Sequence, residues 1–154
     1  MFQLAFVVSL FILAASANDC EKSTYEKLGC FKRQPKLLPD LILNDRDPTH
    51  DNYTGRNIDW VEYASYLNEF TCRCSDKAKK MGYKYFALGF YGECWAGKDM
   101  KEFVKVMNDF SQGSMKCING NYWACDNMTT SPCTGGANTE YIYLVVGDDE
   151  EGEE

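Results

Sequence analysis

The chain contains 154 residues, eight cysteines and a formal net charge of −7. Six acidic side chains and no basic one lie in its last seven residues, so the remainder is almost neutral, with 17 acidic against 16 basic side chains. Because no basic patch stands out, the composition argues against nucleic acid or a membrane surface as a partner. The length is sufficient for one domain with a hydrophobic core.

The N-terminus indicates the cellular compartment. Residues 1–17 form an apolar run without a charged side chain, and it ends in Ala15-Ser16-Ala17. This small-residue pattern is typical of a signal-peptidase site. The run is shorter than the ~20 apolar residues that a membrane span requires. We therefore predict a secreted protein whose mature chain begins at Asn18.

All the cysteines follow that cleavage site. An even number in a secreted chain predicts four disulfides, whose pairing the sequence leaves open. A zinc site is disfavoured because the chain has no C-x-x-C motif and a single histidine. Two cysteines lie two positions apart on a predicted helix, where their side chains diverge, so they are not expected to bridge each other. The eight are Cys20, Cys30, Cys72, Cys74, Cys94, Cys117, Cys125 and Cys133.

The first half of the mature chain predicts two short strands and one long helix. Residues 28–31 and 41–43 are apolar strand candidates, the second following Pro39 and therefore expected at a sheet edge. A helical stripe begins after Asp59, a suitable N-cap, and stops at Gly82. Its apolar members recur every three or four residues and are Trp60, Tyr63, Ala64, Leu67, Phe70, Cys74, Ala78 and Met81.

Beyond that helix the apolar period changes to two. Phe86, Leu88 and Phe90 then fall on one face of a predicted strand. A second, shorter helix is predicted between Asp99 and Gly113, loops over residues 114–138, and a β-rich strand over residues 140–146. The predicted fold class is α+β, with a small disulfide-stapled antiparallel sheet packed on one main helix plus a shorter second helix. We expect one domain over residues 18–146.

Catalytic groups are scarce. His50 is the only histidine and lies in a polar loop, so a Ser-His or Cys-His nucleophile pair cannot be assembled elsewhere. Residues 44–51 lack the glycine and bidentate glutamate of an EF-hand loop. A glycosidase-type carboxylate pair that includes Glu93 stays open, although nothing singles out its partner. We predict that the protein is not an enzyme and needs no cofactor.

Aromatic side chains are the better binding candidates. Flat rings on rigid loops offer apolar area for stacking on sugars at little ordering cost. The alternative is that Trp95 packs in the core beneath Cys94, and that Tyr122 and Trp123 are likewise structural. The candidate glycan-binding residues are Tyr91, Glu93, Trp95, Tyr122 and Trp123.

Two N-glycosylation sequons occur in loop-like stretches. They begin at Asn52 and Asn127, and each is followed by threonine two positions later. In a secreted chain both are candidate glycan acceptors.

Several motifs share a pattern with a known extracellular family. They are Leu28-Gly-Cys-Phe31, the cysteine-bearing helix, Gly82-Tyr-Lys-Tyr-Phe86, Gly92-Glu-Cys-Trp95 and Tyr141-Ile-Tyr143. Together they resemble a WSC-type domain, a cysteine-rich module related in fold to the apple/PAN group. The resemblance covers residues 28–146 and is closest to divergent forms in secreted cnidarian proteins, some of them from coral skeletal matrix. It implies four disulfides, a small antiparallel sheet against a helix, and carbohydrate binding.

The chain departs from the family pattern at two places. Ala96 stands where the family commonly has a second cysteine, and the helix pair reads C-x-C instead of a wider spacing. We therefore expect at least one rearranged bridge, with Cys20 as a substitute partner.

Residues 147–154 form an acidic tail. Its flexible carboxylates should attract Ca²⁺ or a cationic crystal face weakly, without forming a defined site, because a calcium cage needs six to eight oxygens. The alternative is a solubilising tail with no partner. The acids are Asp148, Asp149, Glu150, Glu151, Glu153 and Glu154.

These features leave three functions to weigh. The first is a non-enzymatic extracellular module that binds glycans or matrix proteins, in a matrix that could be mineralised. The second is an acidic structural protein that associates with calcium carbonate through its tail and binds no glycan. The third, an enzyme, lacks a recognisable catalytic set. We predict the first.

Overall fold

A five-stranded antiparallel sheet forms the centre of the fold. The computed structural model describes residues 25–147. The chain forms β1 (Tyr25–Lys32), β2 (Asp40–Asn44), α1 (Tyr63–Lys80), β3 (Tyr85–Gly89), β4 (Glu93–Gly97), α2 (Met100–Met107), β5 (Ile118–Asn119), β6 (Cys133–Thr134) and β7 (Thr139–Val145). The strand order is β1-β7-β3-β4-β2, and β5 pairs with β6 in a separate ribbon. The prediction of an α+β fold with an antiparallel sheet is confirmed.

The sheet lies between the two helices. On one face, Leu67 and Phe70 of α1 pack with Phe86, Leu88 and Tyr141. The opposite face packs against α2 and the segment that precedes β2, through Tyr85, Ala87, Ile142, Leu37, Leu38 and Val106. Since β3 and β7 are central and covered on both faces, their sequences are nearly continuous apolar runs. One main helix plus a shorter second helix matches the prediction.

Disulfides connect these elements. Cys30–Cys117 joins β1 to β5, Cys74–Cys94 joins α1 to β4, and Cys125–Cys133 closes a loop before β6. Cys72 is also disulfide-bonded, whereas Cys20 lies outside the described residues. Several disulfides in one small fold are typical of an oxidising, extracytosolic environment. Among residues 25–147, no helix is long and apolar enough to cross a membrane.

The remaining bridge can be tested by thiol mapping. We expect Cys72 to pair with Cys20, because the other six cysteines pair with one another. The unfolded, non-reduced protein should contain no titratable thiol, whereas Cys20→Ser should expose one, located at Cys72 by alkylation and peptide mass mapping. Labelling at a different cysteine would contradict this pairing.

The start predicted for the long helix is wrong. Asp59 does accept hydrogen bonds through Oδ1 from the amides of Val61 and Glu62, at 3.0 and 2.9 Å. That cap closes a turn that precedes the helix, and α1 itself begins at Tyr63. Trp60 therefore lies outside the helical stripe and is 50% exposed.

The predicted ends of β3 and of the second helix are wrong, and one strand is not predicted from the sequence. Phe90 is not on the face of β3, because the strand ends at Gly89 and Phe90 has a φ of 45°. The second helix ends at Met107, and Phe110 begins a separate 3₁₀ turn, where its side chain is 96% exposed. Cys94 does not follow a strand but lies within β4, which the sequence analysis missed.

Candidate functional site

The turn between β3 and β4 carries two aromatic residues in an unfavourable backbone conformation. Phe90 and Tyr91 have φ values of 45° and 65°, and the amide of Gly92 donates to the carbonyl of Gly89 at 3.3 Å. Two-residue hairpins with positive φ at both centres normally contain Asn and Gly. Left-handed backbone costs other residues about 1–2 kcal/mol each. Strain of this kind concentrates at binding and active sites.

Neighbouring segments hold Tyr91 in this conformation. Its amide donates to the carbonyl of Gly135 at 3.1 Å, and its own carbonyl accepts from the Tyr63 hydroxyl at 2.9 Å. The phenol ring lies directly over Gly136, where an added Cβ would be 2.7 Å from the Tyr91 oxygen. The Trp60 ring contacts Tyr91 edge to face at 5.7 Å.

A third strained aromatic residue, Tyr122, approaches from the loop between β5 and β6. Its φ is 62°, and its hydroxyl donates to the carbonyl of Trp60 at 2.6 Å. The ring stacks on Tyr63 with a centroid distance of 5.0 Å and an interplanar angle of 12°. The loop can approach because Gly120 lies against Ala64, where an added Cβ would be 2.5 Å from the Ala64 Cα. Tyr122 is thereby fixed at the start of α1.

These four rings form what we call the aromatic platform: Trp60, Tyr63, Tyr91 and Tyr122. Tyr63 is buried at its centre, while Trp60 and Tyr122 are about half exposed, at 50% and 49%. Both are nearly parallel to the Tyr63 ring, at 15° and 12°. The platform thus places two half-exposed, nearly parallel rings at the surface, and they are positioned before any ligand arrives.

Further rings support the platform from inside the protein. Tyr66 stacks on Tyr63 at 5.6 Å, and Phe70 stacks on Tyr66 at 5.7 Å. Burial raises the pKa of Tyr63 and of Tyr66 far above the ordinary tyrosine value. Both phenols therefore stay neutral at physiological pH, and the surface they support is apolar rather than charged.

A buried ion pair connects the platform to the loop that follows β2. Asp45 is fully buried, and its Oδ2 lies 2.5 Å from Nη2 of Arg73 on α1. Oδ2 also accepts from the Tyr66 hydroxyl at 3.1 Å, and Oδ1 accepts from the Thr54 hydroxyl. The Asp45 amide donates to the carbonyl of Gly92 at 2.9 Å. Asp45 thus links the loop and the helix through its carboxylate, and the strained hairpin through its backbone amide.

The structure does not bring the five predicted glycan-binding residues together. Tyr91 and Tyr122 belong to the platform, and Trp123 follows it along the chain with 71% of its surface exposed. Glu93 and Trp95 lie elsewhere, because Trp95 packs in the opposite core layer. Its Nε1 donates to Glu93 Oε2 at 2.9 Å, and the Arg33 guanidinium lies 4.0 Å above its ring. Trp95 therefore does not pack beneath Cys94, which belongs to the core layer on the α1 face of the sheet.

Trp60 is a member of the site that the sequence does not predict. The apolar spacing places Trp60 in the helical stripe and therefore predicts a buried side chain. The sequence does contain a sign of this exposure. Trp60 and Val61 are adjacent large apolar residues, and one narrow helical stripe cannot bury both. Val61 is in fact 89% exposed.

Both sequon asparagines are exposed but differ in their hydrogen bonds. The Asn52 side-chain amide donates to the carbonyl of Leu41 at 2.7 Å. Asn127 instead uses its carbonyl oxygen, which accepts from the Tyr141 hydroxyl at 2.7 Å. The nitrogen that would carry a glycan is therefore less engaged at Asn127.

Comparison of the chain with models of known protein families and with curated proteins finds no match. The resemblance to WSC-type domains consequently remains a prediction from the motifs.

Proposed function

We propose that the protein is a secreted, non-enzymatic binding module that recognises glycans of the extracellular matrix through the aromatic platform. The observation that carries this proposal is the pair of half-exposed rings, Trp60 and Tyr122, held nearly parallel to the buried ring of Tyr63. The predicted signal sequence and the disulfides support an extracellular setting. The motif resemblance points in the same direction.

The chemistry of the platform suits a sugar. One face of a pyranose ring presents aliphatic C–H groups, which pack on aromatic rings much as apolar side chains do. Tyr122 and Tyr91 are fixed by backbone hydrogen bonds, so ligand binding need not order them. Exposed Asn121 lies beside Tyr122 and offers an amide for sugar hydroxyls. We infer that the ligand presents a flat, uncharged sugar face.

The carboxylates do not favour a hydrolase. Glu93 and Glu140 lie in one row of the sheet on either side of Gly89. Glu93 accepts from Trp95, and Glu140 is only 1% exposed, so a substrate cannot reach the second carboxylate. Within the described range, no group of three or more His, Cys, Asp or Glu side chains is placed to hold a metal ion. We therefore propose recognition without catalysis.

A glycan array followed by calorimetry with the strongest ligand tests the proposal. Trp60→Ala and Tyr122→Ala should each weaken binding at least tenfold, which corresponds to about 1.4 kcal/mol. Trp123→Ala should weaken it less, because the described part of the chain gives its ring no stacking partner.

Phe110→Ala provides the matched control. Phe110 is an almost fully exposed aromatic residue in the turn that follows α2 and is not one of the four platform residues, so its removal should leave affinity unchanged. Failure to bind any glycan, or an equal loss with Phe110→Ala, would contradict the proposed site.

A further inference from the structure

Exposed lysines gather where α1 ends and β3 begins. Lys77 and Lys80 lie one turn apart on α1, and the chain reverses at once, because the Tyr83 amide donates to the carbonyl of Ala78 at 2.9 Å. We call the three exposed lysines of this region, Lys77, Lys80 and Lys84, the lysine patch. Such a local cluster does not appear in the near-neutral total charge of residues 1–147. Averaging charge over the chain concealed four lysines within eight residues.

The patch is not neutralised by the fold. Lys77, Lys80 and Lys84 are exposed, and none of the three side chains has a hydrogen bond or ion pair with another residue of the described range. The carboxyl end of α1 tolerates them, since the helix dipole there favours cations. The like charges of these lysines repel one another, and together they create a positive potential that attracts an anionic partner.

The same chain contains an anionic segment that begins close to the lysine patch. The amide of Val145, the last residue of β7, donates to the carbonyl of Lys84 at 3.0 Å. Only two residues separate Val145 from Asp148, the first of six acids in seven positions. A seven-residue segment reaches at most about 23–25 Å when extended. Lys80 lies four residues before Lys84, hence at most about 14 Å from it, and Lys77 is ~4.5 Å further along the helix axis, so the whole patch lies within the reach of the tail.

We propose that residues 148–154 dock on the lysine patch of the same molecule. Tethering gives the tail an effective concentration in the millimolar range, so weak charge pairs suffice to keep it bound. The contact is electrostatic and therefore weakens with salt, as exposed charges are screened beyond about 8 Å at physiological ionic strength. Docked carboxylates are less accessible to Ca²⁺ or to a cationic surface. The patch thus limits what the tail can bind.

Nuclear magnetic resonance of the full chain, labelled with ¹⁵N, tests the proposal. The amide resonances of residues 148–154 should shift between about 20 mM and about 500 mM NaCl, as the tail is released. In the double variant K80Q/K84Q the shift should fall at least twofold. The matched control K105Q/K116Q also removes two exposed lysine charges, one on α2 and one beside Cys117, and should behave as the wild type does.

Three results would overturn the proposal. One is a wild-type tail whose resonances do not change with salt. Another is an equal salt response in K80Q/K84Q and in the wild type, which would place the tail elsewhere. The third is a response that diminishes on tenfold dilution, because a contact within one molecule does not depend on protein concentration. A second copy of the chain would then be the partner.

Discussion

Replacing Arg73 with methionine is expected to lower the free energy of unfolding by about 3–5 kcal/mol. Asp45 would then be left as a buried carboxylate without its cation, and removal of one member of a buried pair is much more costly than the pair itself is stabilising. Methionine retains an apolar stem but removes the guanidinium, which also lies 5.1 Å from the centre of the Phe70 ring, so the loss reports mainly on charge. Urea unfolding at neutral pH measures it.

Arg56→Met serves as the control for that measurement. Arg56 pairs with the same Glu69 that Arg73 contacts, but 58% of its side chain is exposed, and exposed pairs contribute at most about 1 kcal/mol. The double variant D45N/R73M should recover much of the stability lost in Arg73→Met, because it removes the uncompensated charge. Equal losses for Arg73→Met and Arg56→Met would show that Asp45 does not depend on its ion pair.

The elements that the sequence predicts well are those whose buried residues recur at a regular spacing. The stripe of α1 and the apolar run of β7 each repeat a period over many residues, and both elements occur where expected. β4 has no such signal, since its five residues include glutamate, alanine and glycine and become a strand only through pairing with β2 and β3. Helix ends were misplaced because Asp59 caps a turn and not the helix.

The site was predicted only in part because it is tertiary. Tyr91 and Tyr122 could be selected as aromatic residues in loops held by disulfides. Both rings contact Trp60 or Tyr63, and these two residues lie about 30 positions before Tyr91 and about 60 positions before Tyr122 in the sequence. Glu93 and Trp95 were grouped with Tyr91 by proximity in the chain. The positive φ of Tyr91 ends the strand geometry there, and β4 then directs its odd-numbered side chains to the opposite face.

One buried acid gives the fold a dependence on pH. Glu140 of β7 is 1% exposed and accepts a hydrogen bond from the amide of Gln34 at 2.6 Å. Burial raises the pKa of this carboxyl from 4.5 to about 7, against the opposing effects of the Gln34 amide and the Arg33 charge. The carboxyl lies under the segment that crosses from β1 to β2. That segment also supplies Leu37 and Leu38 to the second core layer.

The direction of the pH effect follows from the two protonation states. Between pH 4.5 and about 7 the folded protein holds a proton on Glu140 that the unfolded chain has released. Stability from this group is therefore complete below pH 4.5, falls as the pH rises through this window, and is lower by about 3 kcal/mol above it. Glutamine keeps the acceptor for the Gln34 amide without a titrating proton. Glu140→Gln should thus be more stable than the wild type at pH 8 by up to about 3 kcal/mol, with little difference at pH 4.

Urea unfolding of the wild type and Glu140→Gln from pH 4 to pH 8 measures this difference. Arg33→Gln should change the profile in the opposite sense to Glu140→Gln. Arg33 is a positive charge that lowers the pKa of Glu140, so its removal raises that pKa further and extends the loss of stability to higher pH. Parallel pH profiles for the wild type and Glu140→Gln would show that Glu140 does not retain its proton in the folded protein. An unchanged profile for Arg33→Gln, with the expected one for Glu140→Gln, would show that the Arg33 charge does not lower the pKa of Glu140.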